Sequence, residues 1–295
     1  MIKAPWQWVA SPLGINVLLS MFKENSPTVE KYTKIAKILQ NTEGCKLKNR
    51  VFISSSKDIS NMGQFTDVEK ADFSKKDNAF SVYMKKYGDL RNHEFSNKTE
   101  FICTNICTFE SRWQLNKRSG LKMTLYNSFN YTDDIRYEGR LMELPLHSKD
   151  FKLVLVIPNE SDVIVNSLFA TLTNQGLAAA VNSIQPLFTA HSAFSIPMSI
   201  DVKSRVQIKE NISAMTNGSA VQYGAIAVSE EGTRVIVVTC LHSPADTIVD
   251  NVDDITLKPG TAPSSPSLPF YFAVVYQDTP IFYGDFKRRI HTHNI

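Results

Sequence analysis

The sequence predicts an α+β fold built on a substantial mixed or antiparallel sheet, and three observations carry that prediction. Helix-periodic segments come first, short β-branched and aromatic runs dominate from Phe101 onward, and no regular strand–helix alternation recurs. At 295 residues, with 43% hydrophobic and 21% charged side chains, the chain can bury a sizeable core, and residues 1–295 read as a single domain without internal repeats.

Ser11-Pro12, followed by Leu13, Ile15, Val17, Leu18 and Phe22, marks a capped helix start with proline in the first turn and a broad apolar face. Residues 29–39 place apolar side chains at helical spacing with lysines between them, which predicts a second, amphipathic helix. Residues 50–54 read as a strand. Residues 59–100 are polar, lysine-rich and weakly periodic, with short amphipathic pieces such as 80–87, and support no firm assignment. Strands are expected at 101–109, 121–131, 140–146 and 151–158, and a helix at 163–185, stopped by Pro186. Residues 193–206 alternate as a strand, with Pro197 forcing an edge or a bend. Further strands are expected at 225–228, 270–276 and 281–286. Residues 247–269, with Asp250, Asp253, Asp254 and four prolines, have the composition of an exposed loop, and they closely follow the β-branched run 235–239.

Several chemistries find no support. Lys and Arg outnumber Asp and Glu by only 32 to 29, too small a surplus to imply a nucleic-acid partner. The longest apolar stretch, 13–22, is interrupted by Gly14, Asn16 and Ser20, so no membrane span is expected. Residues 1–10 make a poor secretory signal, because Pro5 and Gln7 break the apolar part. Four cysteines make no disulfide framework, and an intracellular protein with reduced thiols is expected. Cys103 and Cys107 on one strand would sit about 13 Å apart, too far for a disulfide or a shared zinc. His291 and His293 read as a solvated tail, and Lys287-Arg288-Arg289 as a solvated strand end. With no nucleophile elbow, zinc motif, phosphate loop or dinucleotide fingerprint, neither a cofactor nor an enzymatic activity is expected.

The informative stretch is Val228-Ser-Glu-Glu-Gly-Thr-Arg-Val-Ile-Val-Val-Thr239, a β-prone run that passes through acidic residues and one glycine into another. Four further segments, in order, give it meaning: Val9-Ala-Ser-Pro-Leu-Gly-Ile15, Thr104-Asn105-Ile106 with Trp113, Pro269-Phe270-Tyr271-Phe272 and Ile281-Phe-Tyr-Gly284. Together they resemble the serpin family across about residues 8 to 290. The resemblance implies N-terminal helices around a large central sheet, an exposed reactive loop at about 229–268 and a C-terminal β-hairpin. It makes Glu230, Glu231, Gly232 and Thr233 the loop hinge, and assigns Ser11, Asn105, Trp113 and Gln222 to the region where the sheet opens. Gly14 and Gln222 stand where the family usually has a serine and a histidine.

The family's spacing of fourteen residues from Thr233 puts the residue before the cleaved bond at Asp246 and the bond at Asp246–Thr247, with Ser243 and Leu241 as alternative positions. An aspartate there suits caspases and granzyme B, and the loop resembles that of the poxvirus cytokine response modifier group. The implied partner is a host protease, of caspase or granzyme B type or another serine protease, met in the cytoplasm by a monomeric inhibitor. Trapping would need the cut loop to enter the central sheet as an added strand, with Thr233, Val235, Val237, Thr239 and Leu241 on one face and Arg234, Ile236, Val238 and Cys240 on the other. Inhibitory members mostly carry alanine in this run, so each bulky side chain that fits badly is expected to cost about 1–3 kcal/mol. The alternative is a serpin-fold binding or decoy protein that has lost insertion.

Overall fold

A computed structural model of the chain describes residues 8–22, 26–58, 63–87, 97–114, 117–119, 122–125, 129–134, 139–158, 189–190, 194–197, 199–208, 219–229, 231–243 and 270–286. The short strand β1 (Trp8–Ala10) leads into helix α1 (Pro12–Met21). Ser11 caps α1 by accepting the Gly14 amide through its hydroxyl, and Pro12 sits in the first turn, where a missing N–H leaves no bond unmade. Helix α2 (Pro27–Leu39) repeats the device, with Ser26 accepting the Val29 amide. Its buried Val29, Tyr32, Ile35, Ala36 and Leu39 recur at helical spacing, while the lysines stay exposed.

Strands β2 (Cys45–Ser54) and β3 (Val68–Ala71) follow, then helix α3 (Ala79–Met84) with a 3-10 turn at Lys85–Tyr87, and the long strand β4 (Phe101–Arg112). Next come β5 (Lys117–Ser119), β6 (Lys122–Leu125), β7 (Phe129–Asp134), β8 (Gly139–Pro145) and β9 (Phe151–Pro158). They are followed by β10 (Thr189–Ala190), β11 (Phe194–Pro197), β12 (Ser199–Ile208) and β13 (Ser219–Ser229). The last are β14 (Gly232–Ser243), β15 (Phe270–Tyr276) and β16 (Thr279–Phe286).

Among the described residues these strands form three sheets. One is seven-stranded, β1-β16-β15-β9-β8-β7-β10; one is three-stranded, β11-β6-β5; and the central one runs β12-β13-β14-β4-β2-β3. The central sheet is antiparallel except at β2–β3. Its inner face packs on α1, α2 and the β15–β16 hairpin through a core that includes Leu13, Tyr32, Phe109, Val235, Val237, Phe272 and Phe282. On its outer face Phe80 and Tyr83 of α3 pack on Phe52, at one end of a cluster that continues through Ile102 and Ile106 to Tyr223, Val238 and Cys240. No helix among the described residues is long and apolar enough to cross a membrane.

Several expectations are revised. The strand expected at 50–54 begins at Cys45, because residues 45–50 show the outer face lysines and only scattered apolar groups. The strand expected at 225–228 begins at Ser219, its first half disguised by a buried glutamine. The run 121–131 divides between β6 and β7, which belong to different sheets. Pro197 ends β11, an edge strand, and β12 joins the central sheet, so the bend lies where proline removes a ladder donor. The expected helix at 163–185 and the tail histidines lie outside the described residues.

The largest revision concerns the segment expected in an exposed loop. Residues 232–243 are β14, in the middle of the central sheet, paired with β13 on one side and β4 on the other. Val235, Val237 and Val238 are fully buried, and Leu241 is nearly so. Reciprocal size makes room for part of the bulky run, with Val237 facing Gly224, Ile236 facing Ala225 and Leu241 facing Ala220, although Val235 faces Ile226 and Val238 faces Tyr223. Leu241 packs among Leu18, Phe22, Phe101, Cys103 and Ala220. Leu241→Ala should therefore lower the stability of this form by about 2–5 kcal/mol, read by denaturant unfolding.

Candidate functional site

The candidate site is β14 with its two anchorages, one where the chain turns from β13 and one halfway along the strand. At the turn, the Glu231 amide donates to Ser229 Oγ at 3.2 Å and its carbonyl accepts from the Trp113 amide at 3.3 Å. Trp113 also donates its ring Nε1 to the Ser229 carbonyl at 2.9 Å, so one tryptophan holds both sides of the turn. Gly232 begins the strand, and a Cβ there would stand 2.0 Å from the Ser111 carbonyl oxygen, which no side chain tolerates. Thr233 is 2% exposed, with its hydroxyl buried and without a hydrogen-bond partner. Glu230 lies outside the described residues.

Arg234 points outward and donates to Glu110 Oε1 at 2.9 Å. This hydrogen bond, aided by the guanidinium charge, holds the Glu110 carboxyl below its ordinary range. Both side chains are about two-thirds exposed, so solvent limits the pair to roughly 0–1 kcal/mol.

At mid-strand, the register aligns Gln222, Thr239, Asn105 and Asn49 in one row across β13, β14, β4 and β2. Gln222 Nε2 donates to Thr239 Oγ1 at 2.9 Å and to the Ser11 carbonyl at 2.7 Å, while its Oε1 accepts the Ser11 amide at 3.1 Å. Ser11 Oγ donates to the Ile281 carbonyl at 2.9 Å, which ties the start of α1 to the C-terminal hairpin. Asn105 Nδ2 donates to Asn49 Oδ1 at 2.7 Å, and Asn105 Oδ1 has no partner. Ser11, Asn105, Gln222 and Thr239 are all fully buried. A row of this kind is favourable only when strands and helix are in register, since each buried polar group left unpaired costs about 1–3 kcal/mol.

Three of the four residues assigned to the opening region, Ser11, Asn105 and Gln222, thus lie around one point, whereas Trp113 belongs with the hinge at the end of β4. Thr239 and Asn49 complete the row. Thr239 sits on the same face as Thr233, six residues on, a parity readable from strand alternation. Asn49 carries no signal in the sequence that separates it from a surface polar residue. Asp246 and Thr247 lie outside the described residues, as does the loop 247–269. Ser243, one alternative bond position, closes β14 by accepting the Glu100 amide at 2.9 Å, and Leu241, the other, is inside the strand.

All four cysteines are buried free thiols. Burial pushes Cys45 up to about 12 and raises the others as well, so none is a ready nucleophile. Cys103 and Cys107 share β4 but pack in separate clusters. No group of three metal-ligating side chains occurs among the described residues.

No protein-family model matches the sequence, and no curated protein matches it either. Solved structures do match the fold. "Cleaved Serpin 42Da" superposes with a TM-score of 0.72 at 16% identity, covering 97% of this chain and 93% of that one. The thermophilic serpin Tengpin in the latent state gives 0.66 at 17% identity, covering 97% and 92%. The viral serpin CRMA gives 0.58 at 16% identity, covering 79% and 92%.

Two measurements test the anchorages. Because a depressed carboxyl contributes stability above its unfolded pKa and loses it as pH falls through the folded value, Glu110→Gln should remove a small acid-dependent component, under about 1 kcal/mol, from the pH profile of unfolding. Trp113→Phe, which deletes the donor to Ser229, should cost about 1–2 kcal/mol by the same assay at neutral pH. With its central sheet, its filled middle strand and its C-terminal hairpin, the chain has the serpin fold.

Proposed function

We propose that this chain is a protease inhibitor of the serpin type, baited at Asp246–Thr247 for an Asp-directed host protease of caspase or granzyme B type, and acting in the cytoplasm of an infected cell. The observation that carries the reading is β14 itself: residues 232–243 are accepted by the sheet along their whole length. A cut after Asp246 leaves the entire strand on the body of the molecule. A cut after Leu241 would remove His242 and Ser243, which pair with Ile102 and Phe101.

The chemistry follows from that geometry. The target's serine or cysteine nucleophile attacks the Asp246 carbonyl, the peptide bond to Thr247 breaks, and the Thr247 amine leaves with a proton, so the target is held as an ester or thioester. Water then competes with insertion. Once 232–243 enters between β13 and β4, its twelve residues carry the attached protease about 40 Å along the sheet. If insertion is faster than hydrolysis, the protease is displaced while still bonded; if slower, the chain is cut and released.

The same strand favours a second reading. A chain whose 232–243 segment stays in the sheet has no segment left to insert, and then serves as a serpin-fold binding or decoy protein.

Incubation with caspase-1, caspase-8 and granzyme B, followed by denaturing electrophoresis, separates the two. A denaturant-resistant adduct is expected, and it should vanish in Asp246→Ala. Clean cutting after Asp246 or no reaction would favour the second reading. Thr233→Arg places a charge at a position that is 2% exposed in the inserted form, and should convert adduct into cleaved product.

A further inference from the structure

Away from the central sheet, helix α2 and the turn between β15 and β16 enclose a groove of about 340 Å³. Its floor is apolar, made by Ile35 and Tyr276, both of which belong to the main core. Three contacts fix its shape. Tyr32 of α2 donates its hydroxyl to the Pro280 carbonyl at 3.0 Å, the Gln277 amide donates to the Asp150 carbonyl at 2.8 Å, and the Tyr276 ring packs on Phe151 with centroids 5.2 Å apart. Gln277 has a φ of 53°, in the left-handed region, which commits the hairpin end to one turn form.

Most of the polar groups around this floor are unpaired. Glu30, Lys31 and Lys34 stand exposed on the α2 wall, and none of their side chains makes an ion pair or hydrogen bond among the described residues. Glu30 and Lys34 have the spacing at which a glutamate one turn ahead of a lysine pairs with it, and they still make no ion pair. Tyr276 is only 6% exposed, yet its hydroxyl has no partner among the described residues and is not sealed from solvent. A phenol packed in this way keeps its polar tip where a partner can reach it, and the groove is the space that Tyr276 lines. On the facing wall the Thr279 hydroxyl donates to Asp278 Oδ1 at 2.9 Å, which orients that carboxylate.

We propose that this groove binds a small zwitterion with an apolar side chain, of the free α-amino acid class. The carboxylate is taken by Lys31, Lys34 and the Tyr276 hydroxyl, the ammonium by Glu30 and Asp278, and the side chain covers Ile35 and the Tyr276 ring. A simple anion would meet two carboxylates and a simple cation two ammonium groups, so a molecule carrying both charges is the one matched throughout. At about 340 Å³ the groove lies at the small end of ligand pockets, which favours a single residue over a longer peptide. The inference stands apart from the proposed function: it depends neither on strand insertion nor on a target protease.

The test titrates the full, uncut chain with L-phenylalanine by calorimetry, using N-acetyl-L-phenylalanine and L-phenylalaninamide as probes that each lack one charge. One-to-one binding with a Kd of about 1 mM or tighter is expected, and each single-charge probe should bind about tenfold or more weakly. Lys34→Gln and Tyr276→Phe should each weaken phenylalanine binding about five- to tenfold, with the melting temperature of the free chain unchanged. No saturable binding up to about 10 mM would overturn the site. Equal affinity for either single-charge probe would overturn it too, because the groove would then read one charge and not a zwitterion. Should Tyr276→Phe lower the melting temperature, Lys34→Gln decides, since that side chain is exposed: about tenfold weaker binding supports the proposal and unchanged binding refutes it.

Discussion

A strand in the middle of a sheet has to satisfy two ladders and two faces at once, and the position of β14 depends on all four being met. On the ladders, pairing with β13 and β4 runs the length of the strand. On the inner face, Val235 and Val237 join the main core and Leu241 a smaller cluster beneath α1. On the outer face, Val238 and Cys240 are buried in a cluster with Ile106, Val221 and Tyr223, whereas Arg234 stays in solvent with Glu110. Part of the run of large side chains is met on β13 by small ones, Gly224, Ala225 and Ala220.

The polar row is the exception within this apolar setting. Gln222, Thr239, Asn105 and Ser11 are buried beneath α1, where a misplaced polar group is costly; Gln222 bonds the strand at Thr239 and the helix start at Ser11, Ser11 bonds the C-terminal hairpin, and Asn105 bonds Asn49 across β4 and β2. A two-residue slip would keep every side chain on its own face, whereas the Gln222–Thr239 hydrogen bond fits the observed register. The hinge contributes differently: Trp113 and Gly232 make a tight turn in which the chain reverses from β13 into β14 with its backbone close against Ser111.

Much of this was legible where local chemistry decides local structure. Ser11-Pro12 announced the start of α1, the lysine-spaced apolar pattern announced α2, and the alternation of 233–241 assigned the inner-face residues of β14. Legibility failed where a distant partner decides. Val238 and Cys240 are buried in a cluster with Ile106, Val221 and Tyr223, side chains brought from β4, which is distant in sequence, and from β13. Gln222 reads as a polar interruption of a strand until Ser11, 211 residues away, supplies its second partner. β-propensity in 235–239 told of a segment able to be a strand, but the place it takes in the sheet is set by its pairing with β13 and with β4, the latter more than a hundred residues earlier in the chain.

The most direct test of the account is a crystal structure of the chain nicked within 247–257. It should show residues 232–243 between β13 and β4 with Thr239 level with Gln222 and Asn105. Finding β13 paired directly with β4, and 232–243 outside the sheet, would contradict it.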